Sequence, residues 1–470
     1  MRAGNGSAPL PWQRITIGLF IALLGAWYFA TLRGGQPWGD DFAMYLIQAR
    51  NIAEGHWFGP TGYIYNPHLP KIGPPAYPPV FPLLLALSYG AFGLDLTPMK
   101  VEVVLFFLAA LYLIFAFTVR QVPFPFAAGI VAVTGLSPYF WELKESIVSD
   151  LPFLFFAMLA LGAIAACERR GWRSTAEAVA VAVCAYICFA TRTVGVVLLA
   201  SLVRRKAALA GAVATALMGL HSVVFRGAGS YFDQLLAPWR SLPHNLMAYS
   251  WSLRHVFFGL GSGIFGWLFL LVLMSLGLAG LAIRVRDRVS PAEAFTLAYA
   301  LLVLLWTSEE DLRLLIPLLP MWFLYIAVAL GNFPARPRVC VGAALLAVVA
   351  CGYAVRYSRI DTGPIRDGWG DPAFVRVCNY IGGQTAPASV FVFGKPRLLA
   401  LITRRNAAAY HQPASDAELW DYFRGIRARY VLVNRGFAED RDYLEPLLLR
   451  NPSGVQRVYS ADSFQLYALP

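Results

Sequence analysis

Charged side chains are scarce in this chain: Asp, Glu, Lys and Arg make up 14% of its 470 residues, against about 25% in an ordinary soluble domain. Because 58% of the residues are hydrophobic, a soluble fold could not cover its apolar core with so few charges, and the excess apolar surface must face lipid. The same numbers exclude collagen-like and intrinsically disordered chains. The composition therefore predicts a polytopic membrane protein with some soluble part.

Cysteine pairs with the spacing of a disulfide framework or a zinc site are also missing. The chain has six cysteines and no Cys-x-x-Cys motif, and five of the six lie within or at the edge of apolar segments. Cys184 and Cys188 share a helix face by their spacing, but packing explains two small residues better than a metal does. The first residues lack a signal-peptide cleavage site, so the first apolar run is expected to remain as a membrane span.

Basic residues outnumber acidic ones, 39 to 27, and give a net charge of +12. They cluster at the ends of apolar segments, as in Arg169–Arg170 and Arg204–Lys206. This pattern is typical of cytoplasmic anchoring in membrane proteins rather than of nucleic-acid binding. We therefore expect the membrane, and no nucleic acid, to be a partner of this chain.

Eleven apolar runs suit membrane-spanning helices. They lie at about 15–32, 98–119, 123–140, 150–167, 176–191, 193–203, 207–226, 260–283, 291–307, 313–333 and 338–356. A further run at 78–93 begins with prolines and has no basic flank on its far side. If it lies at the outer interface instead of crossing, all the basic clusters fall on one side. The sequence thus predicts a polytopic α-helical membrane protein of about eleven spans, with its N-terminus inside and its C-terminus outside.

Two regions are polar enough to lie outside the membrane. Residues 33–97 form a long outer loop, and residues 361–470 form a tail in which short apolar strands at 389–394 and 429–434 flank helical stretches. That alternation predicts a small α/β domain. The expected organisation is a membrane domain over 1–360, which includes the outer loop, followed by a soluble extracytoplasmic domain.

On this topology, charged side chains gather at the outer ends of the spans. The set consists of Asp40, Asp41, Glu142, Lys144, Glu145, Asp150, Arg192, Glu309, Glu310, Asp311 and Arg313. Ionisable groups so close to hydrocarbon are costly and usually functional. Carboxylates can act as a general base or bind a divalent metal, and arginines bind phosphate through paired N–H groups. This face therefore suits a lipid-linked phosphate substrate.

Three segments resemble the GT-C superfamily of membrane glycosyltransferases, in particular the protein O-mannosyltransferases, the lipid A aminoarabinose transferase and the bacterial RgtA/B/C/D-like enzymes. The segment WGDDFAMYLIQARNIAEGHWFG, followed by YNP and PPAYPPVFPLLLAL, resembles the first outer loop of that superfamily. SPYFWELKESIVSDLPFLFF resembles its second acidic site, and DLRLLIPLLP resembles the Arg-x-x-x-Pro-x-x-Pro run that begins a late span. The resemblance covers nearly the whole membrane region.

The resemblance implies an inverting glycosyltransferase of the bacterial inner membrane that uses a polyprenyl-phosphate sugar as donor. Asp41, followed four residues later by Tyr45, matches the catalytic aspartate of the family. It would act as the general base with a modestly raised pKa, and Asp40 is the second choice. The acceptor stays open among a lipid, a glycan and a protein.

Further roles follow from the same resemblance. The residues expected to neutralise the donor phosphate are Arg313, Arg192 and Lys144. Asp150 and Glu145 would position a cation or hold a divalent ion, because some members of the superfamily use a metal and others do not. The tyrosines that could contact sugar rings are Tyr45, Tyr65 and Tyr77.

Other functions stay open at this point. A transporter or flippase of lipid-linked sugars would share the charged face, but it should show repeat symmetry and polar residues near the bilayer midplane. A non-enzymatic envelope scaffold would explain the tail but not the acidic outer loop. His56 and His68 share that loop with Asp40 and Asp41, so a histidine–carboxylate metal site is a further alternative.

Overall fold

The computed structural model describes residues 9–225, 238–261, 263–306, 312–413, 415–451 and 454–470. In chain order its helices are α1 (Pro11–Ala30), α2 (Asp41–Ala53), α3 (Val80–Phe92), α4 (Leu96–Thr118), α5 (Phe124–Gly135), α6 (Pro138–Leu143), α7 (Asp150–Arg170), α8 (Thr175–Thr191), α9 (Ala208–Val224), α10 (Pro238–Ser252), α11 (Ile264–Asp287), α12 (Pro291–Leu304), α13 (Leu318–Gly331), α14 (Ala335–Tyr357), α15 (Pro372–Gln384), α16 (Pro396–Thr403), α17 (Asp416–Gly425) and α18 (Glu445–Arg450). The strands are β1 (Tyr63–Ile64), β2 (Val390–Val392), β3 (Asn406–Ala408), β4 (Tyr430–Asn434), β5 (Gln456–Ala461) and β6 (Phe464–Ala468).

Six helical segments of the described chain are long and apolar enough to cross a membrane, with 20 to 23 residues each: α1, α4, α7, the segment Arg205–Val224 that contains α9, the segment Ile264–Arg286 of α11, and α14. At 1.5 Å per residue each reaches about 30 Å, the thickness of the hydrocarbon core. The chain is therefore an integral membrane protein. The other predicted spans fall on apolar helices of 10 to 17 residues, α5, α8, Thr193–Leu202, α12 and α13, so the number eleven stays a prediction.

Three of the predicted spans are not single α-helices. The run 123–140 is divided: α5 ends at Gly135 and α6 begins at Pro138, whose ring favours the first position of a new helix. Residues 193–202 form a 3₁₀ helix, and the run 313–333 begins with a 3₁₀ turn at Leu312–Leu315 before α13 starts after Pro317. The runs 123–140 and 313–333 are thus interrupted, whereas the run 193–203 is so short that the sequence already allows a broken or tilted helix there.

The ambiguous run at 78–93 forms α3, whose 13 residues reach only about 20 Å. Its inner side packs on α2, with Phe81 and Leu85 buried, while Leu87 is 76% exposed. A short apolar helix with one side packed on the protein and an exposed apolar side is typical of the membrane interface. This packing favours the interfacial position of the run, which stays a prediction.

The tail forms a six-stranded sheet in the order β1-β3-β2-β4-β6-β5. The first four strands run parallel, whereas β6 pairs antiparallel with β4 and β5. The predicted strands at 389–394 and 429–434 correspond to β2 and β4. The edge strand β1 comes from the outer loop, where Tyr63 lies opposite Ala407. These contacts do not test the predicted domain boundary at residue 360. The sheet, however, contains one strand from before that boundary, β1, and five strands from after it.

The contact between the tail and the outer loop is made largely by two helices. In α2, every residue from Phe42 to Asn51 is buried. The short helix α16 packs on it, and the side chains from Pro396 to Leu401 are buried as well. The first turn of α16 therefore lies beside the start of α2, where Asp40 and Asp41 are found.

Candidate active site

Asp41 is the first residue of α2, where the positive end of the helix dipole favours a carboxylate. Its Oδ1 accepts a hydrogen bond of 2.5 Å from the Tyr77 hydroxyl and one of 3.4 Å from Nη1 of Arg397. Its Oδ2 accepts from Nη1 of Arg313 at 3.0 Å. The side chain remains 33% exposed, so the carboxylate is held firmly but is still accessible.

Asp150 opens α7 and is buried. Its Oδ2 accepts from Nε and Nη2 of Arg313 at 3.1 and 3.0 Å, and its Oδ1 accepts from Nη1 of Arg192. Arg313 therefore bridges Asp41 and Asp150. The structure brings together four of the residues that the sequence placed at the outer span ends. The predicted acidic residues Glu309, Glu310 and Asp311 lie outside the described residues.

Arg397, in the first turn of α16, was missed by the sequence reasoning. Its side chain is fully buried, and its guanidinium lies 4.7 and 4.9 Å from the ring centres of Tyr63 and Tyr77. Nη1 donates to the Tyr77 hydroxyl at 2.7 Å and Nη2 to the carbonyl of Pro74 at 2.8 Å. One signal was present in the sequence, because an arginine at the start of an otherwise apolar helix opposes the helix dipole.

Asp40 caps the N-terminus of α16. Its Oδ1 accepts from the backbone N–H groups of Arg397 and Leu398 at 3.0 and 3.2 Å. Burial raises the pKa of Asp40 to about 6, although the neighbouring charge of Arg397 opposes this change. These capping contacts favour a structural role for Asp40, which also lines the pocket described below, and its role as the second-choice base stays a prediction.

The pKa of Asp41 moves in the opposite direction. Burial by itself would raise it, but the charges of Arg313 and Arg397 and the hydrogen bond from Tyr77 outweigh burial and lower the pKa to about 2. The predicted modest rise was wrong for this state, because no sequence pattern had indicated that two guanidinium groups contact the carboxylate. Asp41 is ionised at neutral pH and is a weak base as long as both arginines remain in place.

Two of the three predicted tyrosines, Tyr45 and Tyr77, belong to this site. The Tyr45 hydroxyl is 2.7 Å from Oγ of Ser149, and its ring stacks on that of Tyr77 with the centres 4.7 Å apart. Tyr45 thus supports Tyr77, which makes the direct contact with Asp41. Tyr65 is half-buried against the apolar core, and no hydrogen bond between it and Asp41 is found in the described part of the chain.

The structure does not bring Lys144 and Glu145 to this group. Both side chains are buried and paired with each other, and Glu145 also accepts from Nζ of Lys100 at 2.9 Å. Lys144 donates to the carbonyl of Thr31 at 2.8 Å, and the backbone N–H of Arg33 donates to Glu145. This cluster joins α4 and α6 to the end of α1. The predicted phosphate contact of Lys144 is not supported, because its ammonium is enclosed and paired with Glu145.

A pocket of ≈ 290 Å³ opens beside Asp41 and Arg313. Within the described residues, the Oε1 atom of Gln36 in its wall is buried and has no hydrogen-bond partner. The pocket is lined by Gln36, Pro37, Trp38, Gly39, Asp40, Asp41, Phe42, Leu143, Ser146, Val148 and Arg313. It offers a carboxylate, a guanidinium, an amide and an indole to one ligand, a combination suited to a sugar bearing a phosphate.

A group of possible metal ligands lies between the outer loop and the tail. His68 meets His411 and Glu418 of the tail, with their ligand atoms within 4.8 Å of one another. The Asn66 amide Nδ2 contacts Nδ1 of His411 at 3.2 Å and donates to the carbonyl of Ala409. Because an amide N–H₂ can only donate, this contact leaves the proton of neutral His411 on Nε2, which disfavours a metal on that atom. At Asp41 and Asp150, arginines already supply the positive charge.

The fold was compared with known proteins. No protein-family model and no curated protein matches the chain. Among solved structures, ArnT from Cupriavidus metallidurans bound to undecaprenyl phosphate is 15% identical with a TM-score of 0.59, over 96% of this chain and 97% of that one. AglB, an archaeal oligosaccharyltransferase from Archaeoglobus fulgidus in complex with an inhibitory peptide and a dolichol-phosphate, is 11% identical with a TM-score of 0.60, over 98% and 74%.

The arabinofuranosyltransferase AftD from Mycobacteria gives a TM-score of 0.57 at 15% identity, over 99% of this chain and 40% of that one. The chain therefore shares the fold of these proteins. At the level of the fold, this result confirms the resemblance to the GT-C superfamily seen in the sequence motifs. The GT-C fold here carries Asp41 at the first outer loop and Arg313 at the start of a late helix, the two positions that those motifs singled out.

Proposed function

We propose that the protein transfers a sugar from a polyprenyl-phosphate donor to an acceptor hydroxyl on the extracytoplasmic face of a bacterial inner membrane, with inversion at the anomeric carbon. The observation that carries this proposal is the bridge formed by Arg313, which contacts Asp41 at 3.0 Å and Asp150 at 3.0 and 3.1 Å beside an open pocket. Because Arg313 already donates to two carboxylates, one of its N–H groups can be transferred to the phosphate of an incoming donor while Asp150 keeps the side chain in place.

Donor binding would activate the base in this proposal. The donor phosphate competes with Asp41 for Nη1 of Arg313, so part of the positive charge that lowers the pKa of Asp41 is neutralised. The pKa of the carboxylate then rises from about 2 toward its ordinary value. Asp41 thus becomes a stronger base when the donor is bound.

The transfer itself is a single displacement. The acceptor oxygen forms a bond to the anomeric carbon while the bond from that carbon to the phosphate oxygen breaks, and Oδ2 of Asp41 takes the acceptor proton. The electron pair leaves on the polyprenyl phosphate, whose added charge is stabilised by Arg313 and Arg192. Asp150 keeps both arginines in position, because its two oxygens each hold one of them.

The type of donor is supported by what related folds bind. ArnT was solved with undecaprenyl phosphate, and AglB with a dolichol-phosphate. The apolar helix α7, which is long enough to cross a membrane and begins at Asp150, leads from the site toward the region where a polyprenyl chain would lie. The acceptor remains a lipid, a glycan or a protein. A metal is not needed to explain the charges at Asp41 and Asp150, although one AglB structure is a complex with Zn and sulfate.

The experiment is a transfer assay with the purified protein in lipid vesicles. Radiolabelled polyprenyl-phosphate sugars and radiolabelled nucleotide sugars are offered in separate reactions, with a heat-inactivated membrane extract as the source of acceptor. Label in the acceptor and released polyprenyl phosphate are both quantified. We expect transfer only from the polyprenyl-phosphate donors, with the opposite anomeric configuration in the product. Movement of the intact donor across the bilayer without cleavage would instead indicate a flippase. Use of nucleotide sugars would contradict the proposed donor.

A further inference from the structure

The soluble tail and the outer loop share a continuous interface that ends at Asp41. At one end, β1 of the loop extends the sheet of the tail. In the middle, Nη1 of Arg50 donates to the carbonyl of Leu401 at 3.1 Å, which joins α2 to α16. At the other end, the Asp40 carboxylate caps the backbone of α16 at Arg397 and Leu398. This interface fixes the first turn of α16 next to the candidate base.

The burial of Arg397 needs a physical explanation. A guanidinium keeps its charge in proteins, and removing it from water is strongly unfavourable unless charges and hydrogen bonds compensate. Apolar residues usually stabilise such a position at least as well as a buried ion pair does. Gly73 makes room for this group: a Cβ there would lie 3.0 Å from Nη2 of Arg397 and 3.1 Å from the Tyr77 oxygen. The arrangement is therefore adapted to a guanidinium.

The hydrogen bonds of Arg397 have only one possible direction. A guanidinium can only donate, so the Tyr77 oxygen must be the acceptor of the 2.7 Å bond from Nη1. The single hydroxyl proton of Tyr77 is then available for Oδ1 of Asp41, at 2.5 Å. Oδ1 is thus engaged by Tyr77 and Arg397, whereas Oδ2 is held only by Arg313 among the contacts found in the described residues.

We propose that Arg397 is a positioning residue of the active site, supplied by the C-terminal domain, which directs the Tyr77 hydroxyl onto Oδ1 of Asp41 and so reserves Oδ2 for the acceptor proton. This inference rests on the proposed glycosyl transfer. It makes the tail a part of the active site, and a chain without a docked tail would have a misdirected Asp41. A misplaced catalytic group of this kind lowers turnover by about 10–100-fold.

The test compares Arg397→Gln with Arg404→Gln. Arg404 joins the same two helices at the far end of the interface, through Glu54 at 3.1 Å, but is largely exposed and has no described contact with Asp41. For both variants kcat and the pH profile of kcat/KM are measured, since the acid limb of that profile reports the base of the free enzyme. Melting temperature and limited proteolysis show whether the variants are folded.

Loss of the Arg397 charge removes one of the groups that lower the pKa of Asp41. We therefore expect the acid limb of Arg397→Gln to move to higher pH and kcat to fall by about 10–100-fold, while Arg404→Gln resembles the wild type. Among the described residues, the charged or titratable groups facing Asp41 are Arg313, Arg397, Tyr77, Tyr45 and Asp40. Because Asp40 also titrates, each profile is repeated with Asp40→Asn, which keeps an oxygen for the cap.

If Arg397→Gln does not fold, Tyr77→Phe tests the inference instead. This variant removes the hydroxyl between Arg397 and Asp41 and leaves the guanidinium in place. We expect its acid limb to shift in the same direction with a smaller loss of kcat. A folded Arg397→Gln or Tyr77→Phe protein with wild-type kcat and an unmoved acid limb would overturn this inference alone. A wild-type protein that transfers no sugar would overturn the proposed function, and this inference with it.

Discussion

Replacement of Arg313 by lysine separates phosphate recognition from anchoring at the membrane surface. Lysine keeps the charge but has one ammonium in place of the planar fork of N–H groups. Three guanidinium nitrogens of Arg313 reach Asp41 and Asp150 at 3.0 to 3.1 Å. A single ammonium cannot hold both Asp150 and a phosphate in this way, so we expect two charge-assisted contacts to be lost.

The magnitude follows from the exposure of the side chain. Hydrogen bonds to charged groups contribute about 1.5–3 kcal/mol each, and the lower end applies because Arg313 is 27% exposed. Two lost contacts then weaken transition-state binding by about 3 kcal/mol, which is about 100-fold in kcat/KM. The protein should still fold and insert, because an interfacial anchor needs only positive charge.

The assay is release of polyprenyl phosphate by the purified Arg313→Lys protein in vesicles. Arg356→Lys is the matched control, since Arg356 contacts Glu142 at 2.6 Å with a similar exposure of 32% and has no described contact with Asp41. Exposed pairs contribute about 0–1 kcal/mol, so the control should stay within about fivefold of the wild type. Wild-type kcat/KM in Arg313→Lys would refute the reasoning and leave Arg192 as the candidate for the phosphate.

Two further predictions concern pH and topology. Because burial raises the pKa of Asp40 to about 6, above the ordinary value of about 4 in an unfolded chain, its contribution to stability falls as pH rises from about 4 to about 6. The difference in Tm between the wild type and Asp40→Asn should therefore change over that interval, and a constant difference would contradict the assignment. In a chain without the six native cysteines, cysteines placed at Asp95 and Ser415 should react with an impermeant thiol reagent, and those at Arg120 and Arg286 should be protected. Protection at Asp95 with labelling at Arg120 would show that α3 crosses the membrane.

The sequence was most informative where charged residues stand at the ends of apolar runs. Asp41, Asp150 and Arg313 could be predicted to share one face because the spacing of the runs sets the side of each connection. Their direct contact could not be predicted, since it depends on how α7 packs against the start of α2. The same limit applies to Lys144. The sequence places it on the predicted side of the membrane, but its ammonium forms a buried ion pair with Glu145.

The tail shows why the remainder of the site was missed. Its strands and helices follow from local alternation, and β2 and β4 lie where the pattern predicted them. Arg397 lies 356 residues after Asp41, and only the shared sheet and the packing of α16 on α2 bring the two together. The pKa of Asp41 was wrongly predicted for the same reason. Helix breaks at Pro138 and Pro317 were visible as prolines, but their effect within apolar runs was underestimated.

The central claim, that Asp41 is the base of a glycosyl transfer, is tested most directly by Asp41→Asn, with Glu54→Gln at the other end of α2 as control. Turnover and donor binding are measured on the same purified preparations. We expect the Asp41→Asn protein to lose turnover by about 10²–10⁴-fold. It should bind the donor at least as tightly as the wild type, because Arg313 no longer has a competing charge at Asp41. Near-normal turnover in Asp41→Asn would contradict the account.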